Sequence, residues 1–408
     1  MAGTGDTLRS WWTRLARKAE DTANELILDG YREQVTQARA LLVKGDPEAA
    51  VEVLEALLHD RPDHLGALDL LGAALLVLGR AEAAQEAFMR ALAVRADEPE
   101  ALVGLGEALV EQGLWTEALI PLGRSVERAG GDRALLADAY LALGRAWRGL
   151  GELDKAIREL RKAVAEAPDD AAARAALGDA LLSDDRTSST EARAHLERAA
   201  EAEPAPALAL LDLGELALAD GLTAAAGSYL ERAREAAAAG HGPTARGLQV
   251  AALVGLGDLA RARRDHAAAH QRYLEALELE PRRGSIHAHL AALHRELGNL
   301  HAALSSYELA IALGPTAPLL RAAIATAHAA GDRARAVRWA NDLFPLDPGA
   351  PIALAARAAD LIDQGQLDAA AAMLASGPPS VELALERGRL ERARTPGPAG
   401  AAKAAVAA

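Results

Sequence analysis

The 408-residue chain contains no cysteine and few aromatic residues, which make up 3% of the sequence and include only two Phe. Without cysteine, the chain has no disulfide, no thiolate metal site and no cysteine nucleophile. Its hydrophobic residues, 51% of the total, are mostly Ala and Leu, which are strong helix formers. β-Branched residues, which favour strands, are sparse. This composition predicts an all-α chain.

The charge and hydropathy of the chain argue against a nucleic-acid-binding protein and against a membrane-spanning one. The formal net charge is −14, whereas general binding to nucleic-acid phosphates requires a basic surface, so we expect no nucleic-acid partner. No apolar run approaches the roughly 18 residues of a membrane-spanning helix. The first residues also lack the apolar core and cleavage site of a signal peptide. We therefore expect an acidic cytoplasmic protein.

The chain repeats itself. The stretch "HQRYLEALELEP" (270–281) returns as "LSSYELAIALGP" (304–315), with Tyr, Ala and Pro in the same places. A Leu-Gly pair precedes such stretches, at 71–72, 105–106, 143–144, 177–178, 213–214 and 256–257. Gly-centred turns lie between the pairs and the stretches, as in "LGELDKA" (150–156). Two short helices joined by a tight turn need Gly to end the first helix, small residues where they cross, and Pro to end the second.

A period of about 34 residues with these positions resembles the tetratricopeptide-repeat family over nearly the whole chain. The resemblance implies a right-handed α-solenoid of about ten helix–turn–helix repeats, with no attached catalytic domain. The repeats are predicted near residues 31–64, 65–98, 99–132, 137–170, 171–206, 207–240, 250–283, 284–317, 317–350 and 351–378.

Breaks in the repeat define the predicted organisation. Residues 1–30 form a basic amphipathic helix, 31–240 an array of about six repeats, and 250–378 an array of about four. Residues 241–249, "HGPTARGLQ", are an insertion or a possible hinge between the arrays. Residues 379–394 are predicted to contain a capping helix, which an open solenoid end requires. Residues 395–408 have no periodic face and are predicted to be disordered.

The sequence shows little sign of catalytic chemistry. It contains neither a G-x-x-x-x-G-K-[ST] phosphate loop nor a G-x-S-x-G elbow. The stretch "VGLGDLA" (254–260) matches a dinucleotide fingerprint, but its Leu-Gly is the repeat position of a helix. His266 and His270 are four residues apart without the Glu of H-E-x-x-H. We expect no enzyme activity, no metal and no cofactor.

In this family the first helix of each repeat lines a concave groove, so the resemblance implies binding residues at fixed positions of those helices. These groove candidates are Asp69, Glu107, Glu111, Asp138, Arg145, Arg148, Asp179, Asp212, Glu215, Asp258, Arg261 and Arg295. The ninth position of the repeat is mostly acidic, with Glu107, Asp179, Glu215 and Asp258, and this series is broken by Arg145. The three Asn of the chain, at 24, 299 and 341, are not at ninth positions, which argues against a carboxylate clamp. The pattern favours a basic or amphipathic partner segment; alternatively, these side chains are simply a solvated acidic surface.

Residues 8–28 provide a second candidate surface. Trp11, Trp12 and Leu15 share one face of a predicted helix, and Arg14 and Arg17 lie on the other. Such a helix suits a cap over the first repeat, a docking segment for a partner, or an in-plane helix on the inner membrane surface. The predicted function is a non-catalytic scaffold or adaptor that binds protein partners in the groove. The alternative is a peripheral membrane adaptor recruited through this helix.

Overall fold

The computed structural model describes residues 31–184 and 189–394, so the predicted N-terminal helix and C-terminal tail lie outside the described residues. Within these ranges the regular secondary structure is entirely α-helical. The chain divides into two compact units, and the boundary falls between Leu259 and Ala260. The predicted fold class, an all-α solenoid of helix–turn–helix repeats, is confirmed.

The first unit is built from consecutive helix pairs. Its helices are α1 (Arg32–Lys44), α2 (Pro47–Asp60), α3 (Leu65–Val77), α4 (Ala81–Val94), α5 (Pro99–Glu111), α6 (Trp115–Arg128), α7 (Arg133–Gly149), α8 (Leu153–Glu166), α9 (Ala171–Leu182), α10 (Ser189–Ala200), α11 (Ala207–Ala219), α12 (Thr223–Ala238) and most of α13 (Gly242–Ala262).

The second unit continues the same alternation of paired helices. Its helices are α14 (His266–Leu279), α15 (Gly284–Glu296), α16 (Leu300–Leu313), α17 (Ala317–Ala329), α18 (Arg333–Leu343), α19 (Pro351–Asp363), α20 (Leu367–Ser376) and α21 (Val381–Arg394). The last of these, α21, lies in the segment predicted to cap the array and packs against α19 and α20.

Small residues allow the two helices of a repeat to approach each other. A Cβ placed on Gly106 of α5 would lie 2.3 Å from Cδ2 of Leu122 on α6, so an alanine there would displace the leucine. The alanines at the crossings, among them Ala118 on α6 and Ala276 on α14, are fully buried. Ala and Leu make up most of the buried core, together with a few large side chains such as Phe88 and Trp339. Close packing makes up for the many small side chains.

The turn inside each repeat follows a common geometry. Gly113, between α5 and α6, has φ of 75°, which is the left-handed region that favours glycine. The turn between α13 and α14 places Arg264 at φ of 61°, an uncommon conformation for a residue with a side chain. No helix in the described residues has both the length and the apolarity needed to cross a bilayer.

Helix α13 departs from the repeat pattern. It has 21 residues, because residues 242–249, which the sequence marks as an insertion, are helical and extend the first helix of the seventh repeat toward its N-terminus. Within this extension, Thr244, Ala245 and Leu248 are buried. The boundary between the compact units falls near the C-terminal end of α13 rather than within residues 241–249.

Candidate functional site

The predicted groove residues of the first unit lie on the first helices of consecutive repeats, and three of them meet in a buried ion-pair network. Arg145 on α7 donates to Oε2 of Glu107 on α5 at 2.6 Å and also to Oε1 of Glu111 on the same helix. All three side chains are about 5–6% exposed. We call these residues the arginine triad.

One guanidinium cannot neutralise two carboxylates, and the electrostatics of the triad reflect this imbalance. Burial raises the pKa of Glu107 above its usual value, although the charge of Arg145 opposes the shift and Glu111 adds to it. Burial lowers the pKa of Arg145, but attraction to both carboxylates outweighs it, and the pKa is raised overall. The arginine therefore stays charged, and the excess negative charge is carried by the carboxylates.

The N-terminal extension of α13 packs onto the triad. The hydroxyl of Thr244 donates to Oε2 of Glu111 at 2.8 Å, across 133 residues of sequence. A Cβ on Gly79, in the turn after α3, would lie 2.3 Å from Cα of Gly242, so the two backbones are in contact there. Beside Thr244, a cavity of about 430 Å³ is lined by residues that include Trp115, Arg145 and Arg148. The extension therefore contacts Glu111, which is one of the predicted groove residues.

The first helices of the following repeats carry a second group of predicted residues, which we call the acidic cluster: Asp179, Asp212, Glu215 and Asp258. Asp179 also lines the cavity. Arg148 on α7 donates to Oδ1 of Asp179 on α9 at 2.5 Å. Asp212 on α11 is only 7% exposed, and its Oδ2 has no hydrogen-bond partner among the described residues.

The carboxylates of the acidic cluster perturb one another. Burial raises the pKa of Asp212 well above its usual value, and repulsion from Asp179 and Glu215 adds to the shift. Glu215 reaches solvent on one side, yet desolvation by the surrounding chain, together with repulsion from Asp179 and Asp258, raises its pKa as well. Arg148 is the one cation among the described residues that lowers the pKa of Asp212. The carboxylates of the cluster therefore disfavour one another's ionised form.

The remaining groove candidates are divided between the two units. Asp69 on α3 and Asp138 on α7 are buried in the first unit. Arg261 and Arg295 belong to the second unit, where Arg261 lies 3.5 Å from Oε1 of Glu296. The proposed N-terminal docking residues Trp11, Trp12, Arg14, Leu15 and Arg17 lie outside the described residues.

Comparison with known proteins agrees with this architecture. Tetratricopeptide-repeat family profiles match residues 35–84, 70–134 and 254–318, and a further one matches residues 137–170. The chain belongs to the tetratricopeptide-repeat family. Comparison with curated protein sequences finds no significant match.

Solved structures with the tetratricopeptide-repeat fold are also similar to this chain. A chain of the APC/C hetero-tetramer Cut9–Hcn1 is 17% identical with a TM-score of 0.57, over 76% of this chain and 58% of its own length. Yeast Tom70 is 14% identical with a TM-score of 0.41, covering 89% of this chain and 95% of its own. MamA from Desulfovibrio magneticus RS-1 is 27% identical with a TM-score of 0.36, covering 43% and 96% respectively. At these identities the Cut9–Hcn1 match supports the fold alone.

The histidines of the second tetratricopeptide-repeat unit form ring contacts. His270 and His294 lie with ring centroids 5.9 Å apart, and burial, followed by repulsion from His270, lowers the pKa of His294. The ring of His289 lies 5.6 Å from that of Tyr273. Within residues 31–184 and 189–394, no group of three or more His, Asp or Glu side chains could hold a metal ion.

Sequence reasoning missed two residues that line the cavity beside the arginine triad, Thr244 and Trp115. Thr244 falls in the apparent insertion, so repeat positions assign it no role. Trp115 begins a second helix and lies outside the positions expected to line the groove. The interruption of the 34-residue period before the seventh repeat could have indicated Thr244, because residues inserted into a regular array must pack against one of its surfaces.

Proposed function

We propose that the chain is a non-catalytic protein-interaction scaffold whose first unit binds a basic or amphipathic segment of a partner protein. The observation that carries this proposal is the acidic cluster. Asp212 is buried, one of its carboxylate oxygens has no hydrogen-bond partner among the described residues, and its neighbours Asp179 and Glu215 raise its pKa further. Folding this arrangement without an added cation costs free energy, because buried like charges disfavour the ionised state.

An Arg or Lys side chain from a partner would relieve that cost. A cation placed among Asp179, Asp212 and Glu215 would oppose the mutual repulsion of these carboxylates. Leu182, Leu218 and Val254 occupy groove positions and are half-buried, so they offer apolar contact beside the carboxylates. Charge would set the association rate and the choice of partner, while apolar anchors would hold affinity. An amphipathic basic helix or peptide meets both requirements.

The family supports a protein as the partner. Repeat solenoids present extended surfaces built from the same helix of each repeat, and the chain shares its fold with a component of the Cut9–Hcn1 hetero-tetramer. We propose that residues 31–240 and 250–378 form two arrays, and we assign the binding role to the first array together with Val254 and Asp258 of α13. Asp69 and Asp138, both buried, would support the groove rather than contact the partner.

The test uses fluorescence anisotropy of a labelled helical peptide with Leu on one face and Arg on the other. The groove variant is Glu215→Arg/Asp258→Arg. The matched control, Glu117→Arg/Glu127→Arg, makes the same change in net charge at exposed positions of α6. We expect at least tenfold weaker binding by the groove variant, equivalent to about 1.4 kcal/mol, and little change in the control.

Equal loss in both variants would mean that the peptide responds only to net charge, and equal binding by wild type and the groove variant would refute the acidic cluster as the site. Affinity capture from the native cell with the same pair of variants then identifies the natural partner. Circular dichroism of each variant establishes that it remains helical.

The alternative, recruitment to a membrane surface, rests on the sequence pattern of residues 8–28. A helix with paired Trp on one face and Arg on the other is suited to an interface between lipid and water. Co-sedimentation with vesicles that contain anionic lipid, lost in Trp11→Ala/Trp12→Ala, would support this role. Vesicle binding that is absent in the wild-type chain would exclude it.

A further inference from the structure

A cavity in the second unit has the opposite electrostatic character to the acidic cluster. Its volume is about 590 Å³, and it lies against α15, α16 and α17. Arg261, His289 and Arg295 line it, and no carboxylate does so among the described residues. The cavity is thus lined by two arginines and no described carboxylate, although the net charge of the chain is −14.

The composition of the helices explains this reversal. Helix α17 contains no Asp or Glu, and Glu296 is the single carboxylate of α15. That carboxylate lies 3.5 Å from Nε of Arg261, so Arg261 is partly balanced. Arg295 is exposed and forms no ion pair with another described residue. One full positive charge is therefore available at the edge of the cavity.

The start of α15 adds to the positive potential. Gly284 and Ser285, its first two residues, line the cavity, and the residue before them, Arg283, makes no side-chain cap to the helix. Free backbone N–H groups and the helix dipole both favour a negative group at this end. Apolar side chains also line the cavity, among them Leu313 and Leu319.

We infer that this cavity is a second binding site, which takes an acidic segment of a partner protein that also carries apolar side chains. One carboxylate of the segment pairs with Arg295, and a second lies at the first turn of α15, about 16 Å away along the helix. A Leu or Val side chain between them contacts Leu313 and Leu319. The site is separate from the proposed binding of a basic segment by the first unit. The same chain then engages two segments of opposite charge.

The probe for this site is a fluorescein-labelled peptide of alternating Glu and Leu, compared with its Gln and Leu counterpart, in anisotropy titrations with the full chain. We expect the Glu peptide to bind despite the net negative charge of the protein. Arg295→Glu should weaken it by about tenfold or more, because the mutation replaces attraction with repulsion. Ala288→Trp, which fills the cavity without changing charge, should weaken it as well.

Arg282→Glu is the control, because Arg282 is exposed in the preceding loop and does not line the cavity. We expect this variant to bind the Glu peptide as wild type does, and the first-unit variant Glu215→Arg/Asp258→Arg to do so as well. Both results would support the cavity as the binding site. Three outcomes would overturn it: no binding of the Glu peptide by wild type, equal losses in Arg295→Glu and Arg282→Glu, or full binding by Ala288→Trp. Failure of the first unit to bind the basic peptide would leave this result unchanged, so the two proposals are tested separately.

Discussion

The arginine triad allows a sharp prediction about charge balance in the first unit. Arg145→Leu leaves Glu107 and Glu111 buried without their cation. Removing one partner of a buried ion pair costs about 3–5 kcal/mol, because an uncompensated charge remains out of water. Glu107→Gln instead leaves Arg145 paired with Glu111 and removes the excess negative charge. Since burial already raises the pKa of Glu107, we expect this change to cost less than about 1 kcal/mol or to stabilise the unit.

Hydrogen exchange measured by mass spectrometry on peptides of α5 and α7 is the appropriate assay. Repeat arrays unfold locally, so one global free energy of unfolding does not describe them. The defect of Arg145→Leu should shrink as pH falls from about 7.5 toward 5. Without Arg145, nothing in the triad opposes the burial that raises the pKa of Glu107, so protonation of Glu107 favours the folded state over the unfolded one.

A second comparison separates charge from packing. In the variant Arg145→Leu/Glu107→Gln/Glu111→Gln no charge is buried, so its exchange should lie closer to wild type than that of Arg145→Leu alone. Equal losses in Arg145→Leu and Glu107→Gln, or a defect of Arg145→Leu that does not change with pH, would refute the reasoning.

Two further predictions follow from packing and burial. Gly106→Ala places a Cβ 2.3 Å from Leu122 and should destabilise the third repeat by about 1–3 kcal/mol in denaturant unfolding. The control is Gly123→Ala, because no atom lies within 4 Å of a Cβ at that position. This change should be neutral or should stabilise by up to about 1 kcal/mol. Similar losses at both glycines would contradict the predicted helix crossing. Asp212→Asn should raise the thermal midpoint at neutral pH, because the pKa of Asp212 is raised and its ionised form is disfavoured on folding. The gain should vanish as pH falls below the ordinary Asp value of 3.8, and a gain that persists there would show that charge is not its cause.

Sequence alone was sufficient for the fold. The 34-residue period, the Leu-Gly pairs and the buried alanines are local features, and each repeat contacts mainly its neighbours, so a pattern within one repeat predicts the packing of the next. Gly106 and Ala118 show this directly, because small residues at fixed spacing determine where two adjacent helices cross. The positions of the groove candidates followed from the same register.

The tertiary structure decided which of those candidates are balanced by an opposite charge. Glu107 and Asp212 look alike in sequence, as acids on the first helix of a repeat, yet Glu107 pairs with Arg145 from 38 residues away, whereas Oδ2 of Asp212 has no hydrogen-bond partner among the described residues. The contact between Glu111 and Thr244 spans 133 residues. The contact between Glu111 and Thr244 depends on small rotations from one repeat to the next, which add up over several repeats and bring distant helices together. A local sequence pattern does not give these rotations, so it does not predict which groove candidates meet an opposite charge.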